Sequence, residues 1–189
     1  MTVGWTGGSG ASVESSAMVL AIKAIPDLGD DDALARLSRE SPGWQIEVDD
    51  RGALLVSPTL SEGGARDLEA GLQLDAYAAR VGGKAFGAST GFRLADNSVR
   101  SPDAAWISQE HIARLSAEER SKFWRTCPDV VIEILCDSDV WEELLQKLDL
   151  YERNGALYVL GIDPFARRIS TRGTPPEGLH LDTSAIIDA

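Results

Sequence analysis

Two acids and one lysine stand where their side chains could act together. Asp103 opens the stretch Ser101-Pro102-Asp103-Ala104-Ala105-Trp106-Ile107, and Glu133 interrupts the apolar run Val130-Val131-Ile132-Glu133-Ile134-Leu135. Lys147 follows in the segment from Trp141 to Gly155. A carboxylate inside an apolar strand is costly to bury unless a cation or a hydrogen-bond donor pairs with it. A divalent cation held by Asp103 and Glu133 would polarise a phosphate and acidify a water, while an ammonium nearby would steady the attacking hydroxide. An acid opening one strand, an acid buried in another and a lysine on the next helix outline the site of a metal-dependent nuclease.

Each residue alone has a plainer reading. Glu133 could belong to a structural ion pair. Ser-Pro-Asp is an ordinary way into a strand or turn. Lys147 could pair with Glu143 one helical turn earlier, an interaction worth only about 0.3 kcal/mol. At 3.6 residues per turn, however, Lys147 lies about 240° around from Trp141, on the edge of the apolar stripe rather than on the wet face. Glu47, in Trp44-Gln45-Ile46-Glu47-Val48, is a further candidate carboxylate, expected to converge with Asp103 and Glu133 as a third metal ligand, with a solvated edge acid as the alternative. Asp129, beside Pro128, is a rival ligand that reads more simply as the residue leading into the strand. His111 reads as exposed.

Other chemistries are excluded. Cys127, Cys136, His111 and His180 are the whole complement of cysteine and histidine, too few for a zinc cluster. Any metal must then be bound by oxygen, which points to Mg²⁺ or Mn²⁺. There is no Gly-rich phosphate loop of the Walker type.

The elements that would position these groups can be read from periodicity. Asp30-Asp31-Asp32 introduces a short helix through Leu37. Residues 44–48 and 53–56 read as a hairpin turned at Asp50-Arg51-Gly52. Ala65, Leu68, Leu72, Ala76 and Ala79 keep helical spacing until Gly82-Gly83. Strands are expected at 84–88, 91–94 and 103–107, and Ser116 with Glu119 reads as a capping box for a helix through Trp124. The run 130–135 should be a central strand buried on both faces. Asp139 and Glu142 can cap the helix that follows, whose stripe is Trp141, Leu144, Leu145, Leu148 and Tyr151. Strands at 157–162 and 168–171 complete an α/β domain with a mixed sheet, in which 103–107 and 129–135 are neighbours.

Composition sets the remaining bounds. With 189 residues, 43% hydrophobic and 25% charged, the chain reads as one globular domain over 17–189 behind a Gly/Ser-rich, disordered leader at 1–16. The cysteines flank an apolar strand and, at ~3.3 Å per residue, stand too far apart for a disulfide, so they are expected as free thiols in a reducing cytoplasm. No signal peptide is evident, and Met18 to Ile22 is too short to span a bilayer, so a cytoplasmic protein without membrane association is expected. The formal net charge of −12, from 18 basic and 30 acidic residues, argues against casual contact with nucleic acid. A local basic surface could still form at Arg93 and Arg100, or at Arg167 and Arg168.

Longer stretches resemble a known family. Ser89-Thr90-Gly91-Phe92-Arg93-Leu94, Ser98-Val99-Arg100-Ser101-Pro102-Asp103, Cys127-Pro128-Asp129-Val130-Val131-Ile132-Glu133 and the segment Lys147 to Pro164 are similar to the Uma family of putative restriction endonucleases. The likeness covers roughly residues 30 to 172. It implies the restriction-endonuclease-like fold of the PD-(D/E)xK superfamily, with Asp103 and Glu133 as metal-binding acids and Glu47 as the acid of the first strand. In the wider superfamily a lysine follows the second acid by two residues. Leu135 occupies that place here, and the resemblance implies that Lys147 on the next helix replaces it. Cys136-Asp137-Ser138-Asp139 departs from the Ser-Pro-Ser more common in the family.

The reading that results is Mg²⁺- or Mn²⁺-dependent hydrolysis of DNA phosphodiesters, by a homodimer suited to cutting two strands. The alternative is an interaction module that keeps the nuclease fold and cleaves nothing. A basic rim around Asp103 would favour the enzyme, and an all-acidic rim the module.

Overall fold

The structure is a computed structural model that describes residues 22, 24–58, 63–137 and 139–189. The expected leader at 1–16 lies outside the described residues. The first helix, α1 (Asp31–Glu40), is capped by the Asp30 carboxylate, which accepts from Asp32 N, and carries acids in its first turn and Arg39 in its last. Strands β1 (Trp44–Val48) and β2 (Leu54–Pro58) form the expected hairpin. In its turn Asp49 Oδ1 accepts from Arg51 N and Ala53 N, and Gly52 takes φ +80°.

Helix α2 (Gly64–Val81) ends at Gly82-Gly83. A side chain at Gly83 would place its Cβ 2.3 Å from the Ile107 carbonyl oxygen, so the glycine permits both the left-handed turn and the close approach. Then come β3 (Lys84–Gly87), β4 (Phe92–Arg93), β5 (Val99–Arg100), β6 (Ala104–Ile107), α3 (Gln109–Arg114) and β7 (Val130–Ile134). The chain closes with α4 (Trp141–Arg153), β8 (Tyr158–Asp163), β9 (Arg168–Gly173) and α5 (Thr183–Asp188).

The strands sort into two sheets. The larger, ordered β3-β6-β7-β8-β9, is the mixed sheet expected from the sequence, with β7 and β8 parallel and its other pairs antiparallel. The smaller, β2-β1-β5-β4, takes the early hairpin and includes β5, which sequence periodicity does not show. β6 and β7 are neighbours, with Ala104 opposite Ile132 and Trp106 opposite Val130. Because they run antiparallel, the start of β6 lies beside the end of β7. Asp103 is thereby delivered to Glu133.

Alternation along β7 sends Val130, Ile132 and Ile134 into a core with Leu74 and Tyr77 of α2 and Ile186 and Ile187 of α5. Val131 and Leu135 face the opposite side, packing with Leu144, Leu148 and Tyr151 of α4. Glu133 shares that side, so it points up toward α4. The helix sits close, because a Cβ at Gly161 of β8 would lie 2.8 Å from Leu148 Cδ1.

Two helix expectations need correction. The Ser116–Glu119 box makes both of its bonds, Ser116 N to Glu119 Oε2 at 2.8 Å and Glu119 N to Ser116 Oγ at 3.2 Å, yet only turns follow. The backbone of Trp124 pairs with Gly91 and Arg93 instead, and that extended pairing outcompetes the helix. The helix of this region is α3, capped by Ser108. Asp139 does not cap α4, whose N-cap is Val140; its carboxylate accepts from Cys136 N. Both cysteines are free, Cys127 buried and Cys136 exposed. Among the described residues no helix is long and apolar enough to cross a membrane.

Candidate active site

Asp103 reaches across the end of the sheet, where its Oδ2 accepts from Ile134 N at 2.6 Å. Glu133, only 3% exposed, meets two groups from α4. Lys147 Nζ lies 2.8 Å from its Oε2, and the Tyr151 hydroxyl donates to its Oε1 at 2.7 Å. Lys147 and Tyr151 are one helical turn apart, so a single face of α4 supplies both. Lys147 therefore pairs with Glu133, not with Glu143.

Glu47 arrives from the other sheet. It is 7% exposed, not the solvated edge acid of the plainer reading. Its Oε1 accepts from Ser101 N at 2.6 Å, and its Oε2 accepts from Arg100 Nη1 at 3.3 Å. Lys147 Nζ stands 3.9 Å from Glu47 Oε1, so one ammonium faces acids from both sheets. These groups line a cleft of about 1110 Å³ between the β1–β2 hairpin and the β7–α4 end of the larger sheet.

Charge is crowded here. Burial pushes the Asp103 carboxyl well above the usual aspartate range, and the Glu133 charge adds to it; Lys147 offsets only part. Burial likewise raises Glu133, against the pull of Lys147. Burial alone would weaken the Lys147 ammonium, but Glu133, Glu47 and Asp103 together outweigh it and hold the group charged well beyond an ordinary lysine. The Tyr151 hydroxyl keeps its proton, through burial first and the Glu133 charge second.

The four residues expected from the sequence, Glu47, Asp103, Glu133 and Lys147, thus border one cleft. They do not form a compact three-carboxylate cage: among the described residues no three acid, histidine or cysteine side chains gather as a metal cluster. Both Glu47 oxygens and both Glu133 oxygens already have partners. Tyr151 and Arg100 are members that sequence reasoning left out of the site. The signal for Tyr151 was its spacing of four from Lys147; that for Arg100 was its place three residues before Asp103, which sequence reasoning used only for a possible basic surface.

The arginines that could have formed a basic surface each have an acidic partner. Arg93 is buried against Asp31, Arg167 pairs with Asp188, and Arg168 pairs with Asp163 while stacking on Trp141. Arg100 is buried too. The cleft wall carries nine acidic and four basic residues, neither a basic rim nor an all-acidic one. His111 is not simply exposed: its Nδ1 lies 2.8 Å from Asp129 Oδ1, and its Nε2 lies 2.7 Å from Thr126 Oγ1.

Residues 31–184 match the family Uma2, described as "Putative restriction endonuclease". A crystal structure of a putative nuclease belonging to DUF820, from Anabaena variabilis, is similar in fold with a TM-score of 0.61. The alignment covers 82% of this chain and 97% of that one at 15% identity. No curated protein matches the chain.

Proposed function

The chain belongs to the Uma2 family of putative restriction endonucleases, and we propose that it hydrolyses phosphodiester bonds in DNA with Mg²⁺ or Mn²⁺ held by Asp103 and Glu133. Its fold is the restriction-endonuclease-like α/β fold. The observation that carries the proposal is Lys147, which reaches Glu133 from α4 at 2.8 Å although Leu135 fills the strand position and is buried in the core. The donor set fits a hard cation, because it offers oxygen alone and its two acids repel each other when empty-handed. A bound cation would supply Lewis-acid polarisation of the phosphate and a more acidic water.

The chain's own residues do the rest. Asp103 is fixed by Ile134 N through one oxygen, which leaves the other for a ligand. Tyr151 donates to Glu133 and sets the rotation of that carboxylate. Lys147, held charged between Glu133 and Glu47, can donate to the attacking hydroxide or to a phosphate oxygen. Glu47, tied to Ser101 N and Arg100, serves in this reading to anchor Lys147 rather than to bind the cation directly. In the reaction the hydroxide of water joins phosphorus, the P–O ester bond breaks, and the leaving oxygen takes the proton.

The test is a cleavage assay with Mg²⁺ and Mn²⁺ on plasmid, linear and single-stranded DNA. Wild type should cut at least one of them, and Glu133→Gln and Lys147→Ala should not. No cleavage of any form by wild type would sink the proposal and favour the interaction module, to which the acidic excess of the cleft wall also points. A homodimer suits a double-strand cut, and sedimentation showing only monomer at high concentration would remove that part.

A further inference from the structure

We propose that Arg100 is a phosphate-binding residue of the cleft, whose guanidinium takes non-bridging oxygens of a phosphate group in the bound strand. This rests on the nuclease reading. Its argument begins with a pair of arginines on adjacent strands. Arg93 on β4 and Arg100 on β5 are both buried, at 5% and 8% exposure. Arg93 is fully employed by the fold, donating to Asp31 Oδ1 at 2.5 Å, Asn97 O at 2.9 Å and Leu28 O at 3.0 Å.

Arg100 has the same five N–H donors and far fewer partners. It makes one long bond, to Glu47 Oε2 at 3.3 Å. Its Nε is, among the described residues, the one buried side-chain nitrogen or oxygen without any hydrogen-bond partner. Nor is Glu47 its own, since that carboxylate also accepts from Ser101 N and faces Lys147. A buried guanidinium so poorly paired is expensive, and such a group calls for an explanation. Arg100 lines the cleft three residues before Asp103 on the same chain segment. A planar fork of donors beside the reacting centre suits a phosphate, which it can grip through two oxygens at once.

The plainer role for Arg100 is to stitch β5 to β1 through Glu47. Metal-free full-length protein can separate the two. Inorganic phosphate, thymidine 5′-monophosphate and a short single-stranded oligodeoxynucleotide are titrated while the arginine Nε–H resonances are followed by ¹⁵N NMR. The Arg100 signal should shift with all three, and saturate at the lowest concentration with the oligonucleotide. Arg100→Gln should weaken oligonucleotide binding at least about tenfold, and Arg100→Lys by less, because charge survives and the fork does not. Arg114→Gln, an exposed control, should change nothing. Glu47→Gln covers the case in which Arg100→Gln fails to fold: it frees Arg100, so phosphate affinity should rise.

Wild-type affinity in Arg100→Gln, or unchanged or lower affinity in Glu47→Gln, overturns the proposal. Shifts confined to Arg51 or Arg153 overturn it as well. Binding of free phosphate without the oligonucleotide overturns the assignment to a strand. Absence of cleavage with every metal, while the Arg100 shifts persist, removes the nuclease reading and leaves the phosphate site standing.

Discussion

β7 carries an acid at each end of its run, and the two ends are built differently. Asp129, just before the strand, accepts from Ser108 N at 2.7 Å through one oxygen and meets the His111 ring at 2.8 Å through the other, and that ring continues to Thr126. This network closes on itself and ties α3 to the sheet. At the far end, Glu133 shares a small volume with Asp103, Glu47 and Lys147. The carboxyls of Asp103 and Glu133 are both raised by burial, and Asp103 is raised further by the Glu133 charge. A lone acid with its own partners holds a fold together, whereas three carboxylates that outnumber the two cations among them, Lys147 and Arg100, store free energy that a ligand can release. That excess also lies at the carboxyl end of parallel β7 and β8, where open α/β sheets bind ligands.

The sharpest way to break this comparison is substitution at the two ends. Asp103→Asn and Glu133→Gln should abolish cleavage and the thermal stabilisation given by Mn²⁺. Asp129→Asn should lower stability by about 1–2 kcal/mol through its weakened network while the folded fraction still cuts. Equal Mn²⁺ shifts in wild type and Glu133→Gln would end the distinction between the ends.

Lys147→Met should lower the stability of the metal-free protein by about 3 kcal/mol, because it strands a buried Glu133, and urea denaturation can read the loss. The figure sits at the low end for a buried pair because Lys147 keeps a quarter of its side chain exposed. Metal should restore part of the loss, since a cation can replace the ammonium beside Glu133.

A smaller effect should appear in pH dependence. The folded-state values of Asp103 and Glu133 are raised above the ordinary 3.8 and 4.5, so the folded protein binds more protons than the unfolded chain above those values. Their contribution to stability therefore falls as pH rises from the ordinary carboxylate range toward the raised values. Urea midpoints of the metal-free wild type should decline over that window more steeply than those of Asp103→Asn. Identical slopes would mean that the acids are not crowded.

The smallest effect concerns the two thiols that flank β7. Burial pushes Cys127 up to about 12, and partial burial of its sulfur, with the nearby acids, pushes the otherwise exposed Cys136 up to about 11. Exposed Cys136 should therefore react with thiol reagents about ten- to a hundredfold more slowly than an ordinary cysteine. Added Mn²⁺ should speed Cys136, by offsetting Asp103, and leave Cys127 unmoved. Equal acceleration of both thiols would deny any electrostatic difference between the ends.

Local rules reach a good part of this site. An apolar run with one acid, followed by a helix with a stripe, places Glu133 and Lys147 on facing surfaces, and an antiparallel neighbour brings Asp103 beside them. Periods of 2 and 3.6 contain that information because each concerns residues close in sequence. Tyr151 was visible in the same pattern, but an apolar stripe and a hydrogen-bond donor look alike until the acid beneath is located.

Other features have no such local trace. Glu47 meets Ser101 N across 54 positions, and β5, two residues long, is a strand only because β1 and β4 flank it. The capping box at Ser116 satisfies its own rule and still yields no helix, since Trp124 gains more by pairing with the chain around Phe92. Arg93 and Arg100 carry the same charge on adjacent strands, and nothing in their neighbours along the chain separates a knotted arginine from an under-paired one. Long-range pairing makes that separation, because the partners that satisfy or neglect a buried charge are chosen by the packing of two sheets.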